Sequence, residues 1–182
     1  VYGDGSEIVT TDKPELEYEY KTYGDYTVKL TVVQGAESYP AVNTVPFRSY
    51  PKDFYVNGAS ATPEAPYDTP AKAATGFPEV LALASDGSTV HVLPGTYAVP
   101  TVELDEGISV VGETGRAEDV VLRPASSSLF HAVRLNNAQA QVFNLTVEDF
   151  TGSNEYHPGA GFFIEGQGGT VSNCIIDAED DG

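Results

Sequence analysis

Ala132-Val-Arg-Leu-Asn-Asn-Ala-Gln-Ala-Gln-Val-Phe-Asn144-Leu-Thr-Val147 realigns without a gap on Gly161-Phe-Phe-Ile-Glu-Gly-Gln-Gly-Gly-Thr-Val-Ser-Asn173-Cys-Ile-Ile176, at an offset of 29 residues. Each copy reads as a short apolar strand, a polar bend, and a second apolar strand interrupted by one Asn. Self-similarity at a fixed period of this size marks stacked units, because one copy alone cannot bury its apolar face. Strand, bend and strand with Asn at the bend predict a coil of parallel strands. The offset places Leu145 under Cys174 in one inward column, Val147 under Ile176 in another, and Asn144 and Asn173 at a shared bend. Asn side chains one strand spacing apart, about 4.8 Å, can hydrogen-bond to each other as a structural ladder. That ladder explains Asn144 better than a ligand site or the glycosylation sequon Asn144-Leu-Thr146.

Working outward, short strands separated by Pro-Gly, Glu-Gly, Gly-Glu-Thr-Gly and Asn-Asn bends are expected at 89–93, 102–104, 108–111, 120–122, 132–135, 142–147, 162–164 and 171–176. Thr69-Pro70 reads as a helix start, with helix expected over Ala71 to Thr75. Gly76-Phe77-Pro78 then breaks and restarts it, with Val80, Leu81, Leu83 and Ala84 on its apolar face. This segment, Thr69 to Ala84, is expected to cover the lower end of the coil, where an open strand edge would otherwise template association. Half of the 12 prolines fall between residues 40 and 70, a density that disfavours ladders and helices. That stretch therefore reads as a stiff connector or wrapping segment, with a domain boundary near Tyr50. Upstream, Asp25 to Val33 alternates with period two, placing Tyr26, Val28, Leu30 and Val32 on one face. Glu15 to Tyr20 is its expected partner strand.

The 182 residues are 41% hydrophobic, enough for a core, and 9 basic against 27 acidic residues leave a net charge of −18. Phosphate recognition needs clustered Lys and Arg, so nucleic acid and anionic membrane surfaces are poor partners. No run is long enough to insert in a membrane. The acidity reads as solubility outside the cell or in salty water. The single Cys174 excludes an intramolecular disulfide framework, and its place in the repeat makes it an inward thiol.

Tyr2-Gly-Asp-Gly-Ser6, Tyr18-Glu-Tyr20 and Gly24-Asp-Tyr26-Thr-Val28-Lys-Leu30-Thr-Val32 together resemble the C-terminal part of a polycystic kidney disease (PKD) domain. Tyr18 stands where that family usually has His, and the family's first strands are absent. A stronger resemblance covers roughly residues 53–182. Phe54-Tyr-Val-Asn-Gly58, Thr69-Pro-Ala-Lys-Ala-Ala74, Asp86-Gly-Ser-Thr-Val-His-Val-Leu-Pro-Gly-Thr-Tyr97 and Ile108-Ser-Val-Val-Gly112 are similar to the opening of a right-handed parallel β-helix of the pectin-lyase-like superfamily. The expected fold is therefore all-β. Residues 1–49 form the remnant of a PKD or immunoglobulin-like β-sandwich, 50–68 a Pro-rich connector, and 69–182 a short capping helix with the N-terminal rungs of the β-helix. A chain truncated at both ends and continued in the remainder of a longer one is expected.

The candidate chemistry is sparse. Glu155, Tyr156 and His157 lie in the insertion between the two repeat copies, where β-helix proteins build binding surfaces, so they are the candidate carbohydrate-binding residues. A plain surface loop is the competing reading. Asp177, Asp180 and Asp181 in Asp177-Ala-Glu-Asp-Asp-Gly182 are the only acids that invite a metal, and calcium is the ion their oxygens suit. A solvated loop is the competing meaning, and no cofactor is required. His91, His131 and His157 have no nucleophile or second His at a metal or triad spacing, so no catalytic residue is assigned. The expected function is a structural and adhesive module of a large secreted or cell-surface protein, bacterial in type, contacting polysaccharide or another surface glycan. The alternative is the non-catalytic N-terminal portion of a polysaccharide lyase or glycoside hydrolase.

Overall fold

A computed structural model describes residues 1–13, 15–20, 22–34, 37–126, 131–150 and 160–177. They are mostly strand with one short α-helix, and the chain divides into two units, Val1–Pro51 and Lys52–Gly182.

In the first unit β1 (Gly24–Gln34) pairs antiparallel with β2 (Glu37–Ser49), with a register break between Lys29 and Thr31. The partner of β1 is thus not residues 15–20. The ladder also runs through part of the proline-dense stretch. Pro46 lies opposite Thr27 in a ribbon where both strands are edges, so its missing N–H can face outward. Residues 15–20 are tied down by rings rather than by a ladder. Tyr18 stacks on Tyr2 with centroids 3.6 Å apart, and Tyr20 stacks on Tyr26 at 4.1 Å and on Phe47 at 5.2 Å. The Tyr18 hydroxyl donates to Asp4, and the Tyr20 hydroxyl donates to the Tyr2 carbonyl at 2.8 Å. Hydrogen bonds from Ser6 and Tyr18 hold the Asp4 carboxyl down at about 2. Gly3 has φ 81°, and a Cβ there would lie 2.6 Å from the Thr27 carbonyl oxygen, so the Gly-Asp-Gly turn packs directly against β1. Among the described residues this unit holds one two-stranded sheet, where a sandwich was expected.

The second unit is built from three parallel sheets. The strands are β3 (Asp53–Val56), β4 (Thr89–Val92), β5 (Gly95–Val99), β6 (Val102–Leu104), β7 (Ser109–Gly112), β8 (Val120–Pro124), β9 (His131–Leu135), β10 (Gln141–Phe143), β11 (Thr146–Glu148), β12 (Ala160–Ile164), β13 (Thr170–Ser172) and β14 (Ile175–Asp177). One sheet has the order β13-β10-β7-β4-β3, a second β14-β11-β8-β5 and a third β12-β9-β6. From β4 onward the chain visits the three sheets in the same cyclic order, so each passage is a rung stacked on the last. This arrangement is compatible with a parallel β-helix. Strand β3 lies inside the stretch read as a connector, because Phe54 and Val56 are fully buried and form the first row of the five-stranded sheet. Register aligns the inward side chains into columns such as Phe54, Val90, Val110, Val142 and Val171, or Leu104, Leu135 and Ile164. Exposure in the second column runs 0%, 0% and 52%, so Ile164, on the last strand of its sheet, is the member left open to solvent.

The corner between the first two sheets splits each of the apolar runs 142–147 and 171–176 into two strands. Asn144 and Asn173 have φ of 59° and 50°, the left-handed conformation that Asn tolerates better than other L-residues, and the chain turns there into the next sheet. Asn173 Nδ2 donates to Asn144 Oδ1 at 2.8 Å and to the Gly115 carbonyl at 3.1 Å, while Asn144 Nδ2 donates to the Gly112 carbonyl at 3.3 Å. A Cβ on Gly112 would lie 2.0 Å from the Asn144 carbonyl oxygen, so only glycine admits this approach. Val147 pairs in register with Ile176, and the Ile175 amide donates to the Leu145 carbonyl at 3.0 Å.

The lower edge of β3 is closed by the segment that follows it. The Tyr55 amide donates to the Tyr67 carbonyl, the Ala74 amide to the Tyr55 carbonyl, and the Asn57 amide to the Ala74 carbonyl. The expected helix over 71–75 is absent. Only Pro70–Lys72 makes a single 3-10 turn, Thr69 makes no side-chain cap, and Ala73 and Ala74 leave the turn to enter the core. The helix proper is α1 (Phe77–Leu81), whose Phe77 and Val80 are buried, with Phe77 edge-on to Tyr97 at 6.0 Å.

Two outcomes follow from this packing. Asn144→Ala removes the amide that donates to Gly112 and accepts from Asn173, and leaves an alanine at positive φ, so chemical denaturation should show a loss of about 1–3 kcal/mol, with Asn144→Gly recovering the backbone part. Phe77→Ala should cost about 3–5 kcal/mol through the cavity it leaves under the first rung. Denaturation midpoints unchanged from wild type would contradict these assignments.

Candidate functional site

Because side chains alternate across a strand, register that aligns the core also aligns the outer face. On the five-stranded sheet the outward residues form two parallel columns. One runs Asp53, Thr89, Ser109, Gln141 and Thr170, and the other Tyr55, His91, Val111, Phe143 and Ser172. Ser109 Oγ donates to Gln141 Oε1 at 3.3 Å. Tyr55 and His91 lie 4.8 Å apart with their rings 16° from parallel, so they stack along the column and present their edges outward.

At the lower end of these columns His91 holds two carboxylates. Its Nε2 lies 3.0 Å from Asp53 Oδ1 and its Nδ1 lies 2.5 Å from Glu113 Oε1. Burial disfavours the charged ring, but the bonds to Asp53 and Glu113 outweigh it, and the imidazole pKa is raised above its ordinary value.

The other two sheets repeat the device with arginine. Arg134 on β9 donates from Nη1 to Glu103 Oε2 and from Nε to Glu165 Oε2, both at 2.7 Å, with Asp105 3.8 Å away. Glu103 and Glu165 hold the guanidinium pKa well above its usual range. Arg123 on β8 reaches Glu148 on β11 at 2.7 Å. His131 stacks on Phe163 of the next rung at 4.5 Å. Among the described residues each sheet thus carries a basic side chain bonded to acids from a neighbouring rung. In a chain this acidic, in-register stacking would otherwise set carboxylates one strand spacing apart.

Of the residues singled out by sequence, Glu155, Tyr156, His157, Asp180 and Asp181 lie outside the described residues. Asp177 is exposed and pairs in register with Glu148. Among the described residues no group of three or more His, Cys, Asp or Glu side chains is placed to hold a metal ion. Cys174 is half-buried beside the core, and burial raises its thiol pKa. The spacing of His91 to other residues pointed to no site, and its partners Asp53 and Glu113 were missed. The alignment of Phe54 with Val90, each the second residue of its strand, carries the signal for the first of them.

No helix among the described residues is long and apolar enough to cross a membrane. Comparison with protein-family models, with curated proteins and with solved structures finds no match.

Arg134→Gln tests the cross-rung ion pairs. It leaves Glu103, Asp105 and Glu165 facing one another, so the melting temperature should fall, and the loss should shrink as sodium chloride is raised. A loss of the same size at low and high salt would assign the effect to packing instead.

Proposed function

We propose that this chain is a structural and adhesive module of a large secreted or cell-surface protein, and that it lays an outer face against polysaccharide. In this reading the second unit is the start of a right-handed parallel β-helix of the pectin-lyase-like kind, and the first is part of a PKD-like sandwich. The cyclic visiting of three parallel sheets, the apolar inward columns and the Asn corners support the first assignment. The Gly-Asp-Gly turn seated against β1 supports the second.

The observation that carries the functional reading is the pair of outward columns on the five-stranded sheet. One offers ring edges and an apolar side chain at Tyr55, His91, Val111 and Phe143. The other offers hydroxyl, carboxylate and amide groups at Asp53, Thr89, Ser109 and Gln141. Their repeat is the strand spacing, about 4.8 Å. A polysaccharide presents C–H patches and hydroxyls in regular succession, so a linear chain along the coil meets matching groups rung after rung. A fold alone names no ligand, and these two columns are what supports a polysaccharide.

Affinity electrophoresis through gels holding β-glucan, chitin, polygalacturonate or alginate checks the proposal. At least one polymer should retard the chain, and the Tyr55→Ala/Phe143→Ala double variant, if folded, should migrate faster in that gel. Free migration through every gel would remove the adhesive reading. Release of new reducing ends or unsaturated sugars by the repurified chain would replace it with an enzyme.

A further inference from the structure

We infer that His91, clamped between Asp53 and Glu113, is an acid-strengthened clasp that fastens the first rung and its end cover to the two rungs above. The three groups come from three successive levels of the five-stranded sheet. Asp53 opens β3, His91 is on β4, and Glu113 directly follows β7. His91 is 21% exposed against 62% for Asp53 and 40% for Glu113, so the imidazole is the shielded middle of the chain of bonds.

The chemistry of the ring makes the arrangement conditional on pH. Both ring nitrogens face carboxylate oxygens, at 3.0 and 2.5 Å. Only the imidazolium can donate at both; the neutral ring has one N–H and turns a lone pair toward the other carboxylate. Deprotonation therefore exchanges two charge-assisted bonds for one and removes the cation that separates two acids. Tyr55, stacked on the ring from β3, does not compete as a titrating group. Burial first, then Asp53 and Glu113, raise its phenol above an ordinary value that is already far from neutrality. Val111, the register partner of His91 on β7, carries no charge.

What the clasp holds is the part of the sheet with a neighbouring strand on one side only. β3 is the terminal strand of its sheet, and its outer edge is bonded to Tyr67 and Ala74 of the end cover. The folded-state pKa of His91 lies above the unfolded one. Its contribution is therefore complete below the unfolded value of about 6.5 and is lost as pH rises through the folded value. Raising pH should loosen the lowest rung first, while the rungs above keep both neighbours.

Two measurements on the full chain test this. The first follows the His91 ring resonances of the wild type by NMR from pH 5 to pH 9, together with exchange of the Tyr55 and Asn57 amides. The clasp requires a His91 midpoint above that of free histidine, and faster exchange of those two amides beyond the intrinsic base-catalysed rise, relative to Val110. The second compares denaturation of wild type and His91→Gln at each pH. The difference should be largest at pH 5 and shrink toward pH 9, with Glu113→Gln lowering the NMR midpoint. A His91 midpoint at or below that of free histidine, or a wild-type advantage independent of pH, would overturn the clasp.

Discussion

The structure of the second unit depends on one constraint: neighbouring rungs must stay in register at the corner where the chain leaves the five-stranded sheet. The Asn173 to Asn144 amide bond and the Gly112 approach set that register. A slip of one residue would turn every inward side chain outward, because side chains alternate with period two. Columns such as Tyr97, Leu122 and Val147 exist because the corner below each strand begins at the same height. Left-handed backbone at Asn144 and Asn173 is costly for most residues, and the amide bonds that it aims along the coil offset that cost.

Register has an electrostatic consequence that the core does not feel. Register sets the outward side chains of successive rungs one strand spacing apart, so acids that share a column, such as Glu148 and Asp177, become close like charges. His91, Arg123 and Arg134 each bond acids from neighbouring rungs, on three different sheets. Two are permanent cations. The histidine alone can lose its charge in the neutral range, and it bonds to Asp53 of the terminal strand, which has a neighbouring strand on one side only. Electrostatic stability of this unit is therefore uneven along the coil: constant where arginine separates the acids, conditional at the lower end.

The repeat at 29 residues was legible because the last two rungs happen to be joined by corners of equal length. Outward partners on the five-stranded sheet fall at steps of 36, 20, 32 and 29 residues. Unequal corners hide the register of the lower rungs from any fixed-period search, and with it the meeting of Asp53, His91 and Glu113. Proline misled in the same region. Its density argued against ladders between 40 and 70, yet β2 tolerates Pro46 in a two-stranded ribbon, and β3 lies in the proline-free window Lys52 to Thr62. Thr69-Pro70 had the local form of a helix start. Burial of Ala73 and Ala74 against β3 yields more than continuing the helix would, so the turn ends after Lys72. The ring clamp of Tyr2, Tyr18, Tyr20 and Tyr26 could not be read from spacing, because stacking depends on which loops fold back on β1.

A surface made by register favours one kind of recognition. The outward side chains are held by strands bonded on both sides, so a ligand pays little to order them. Each rung offers a weak contact, and a small molecule touching one rung gains little. A polymer whose own repeat approaches the strand spacing would make a contact at each rung within one binding event, and later contacts would follow at high effective concentration. Affinity should then climb with the number of rungs spanned. Under the proposed polysaccharide reading, loosening the lowest rung would shorten the usable face from that end, which would couple the protonation of His91 to the length of polymer bound.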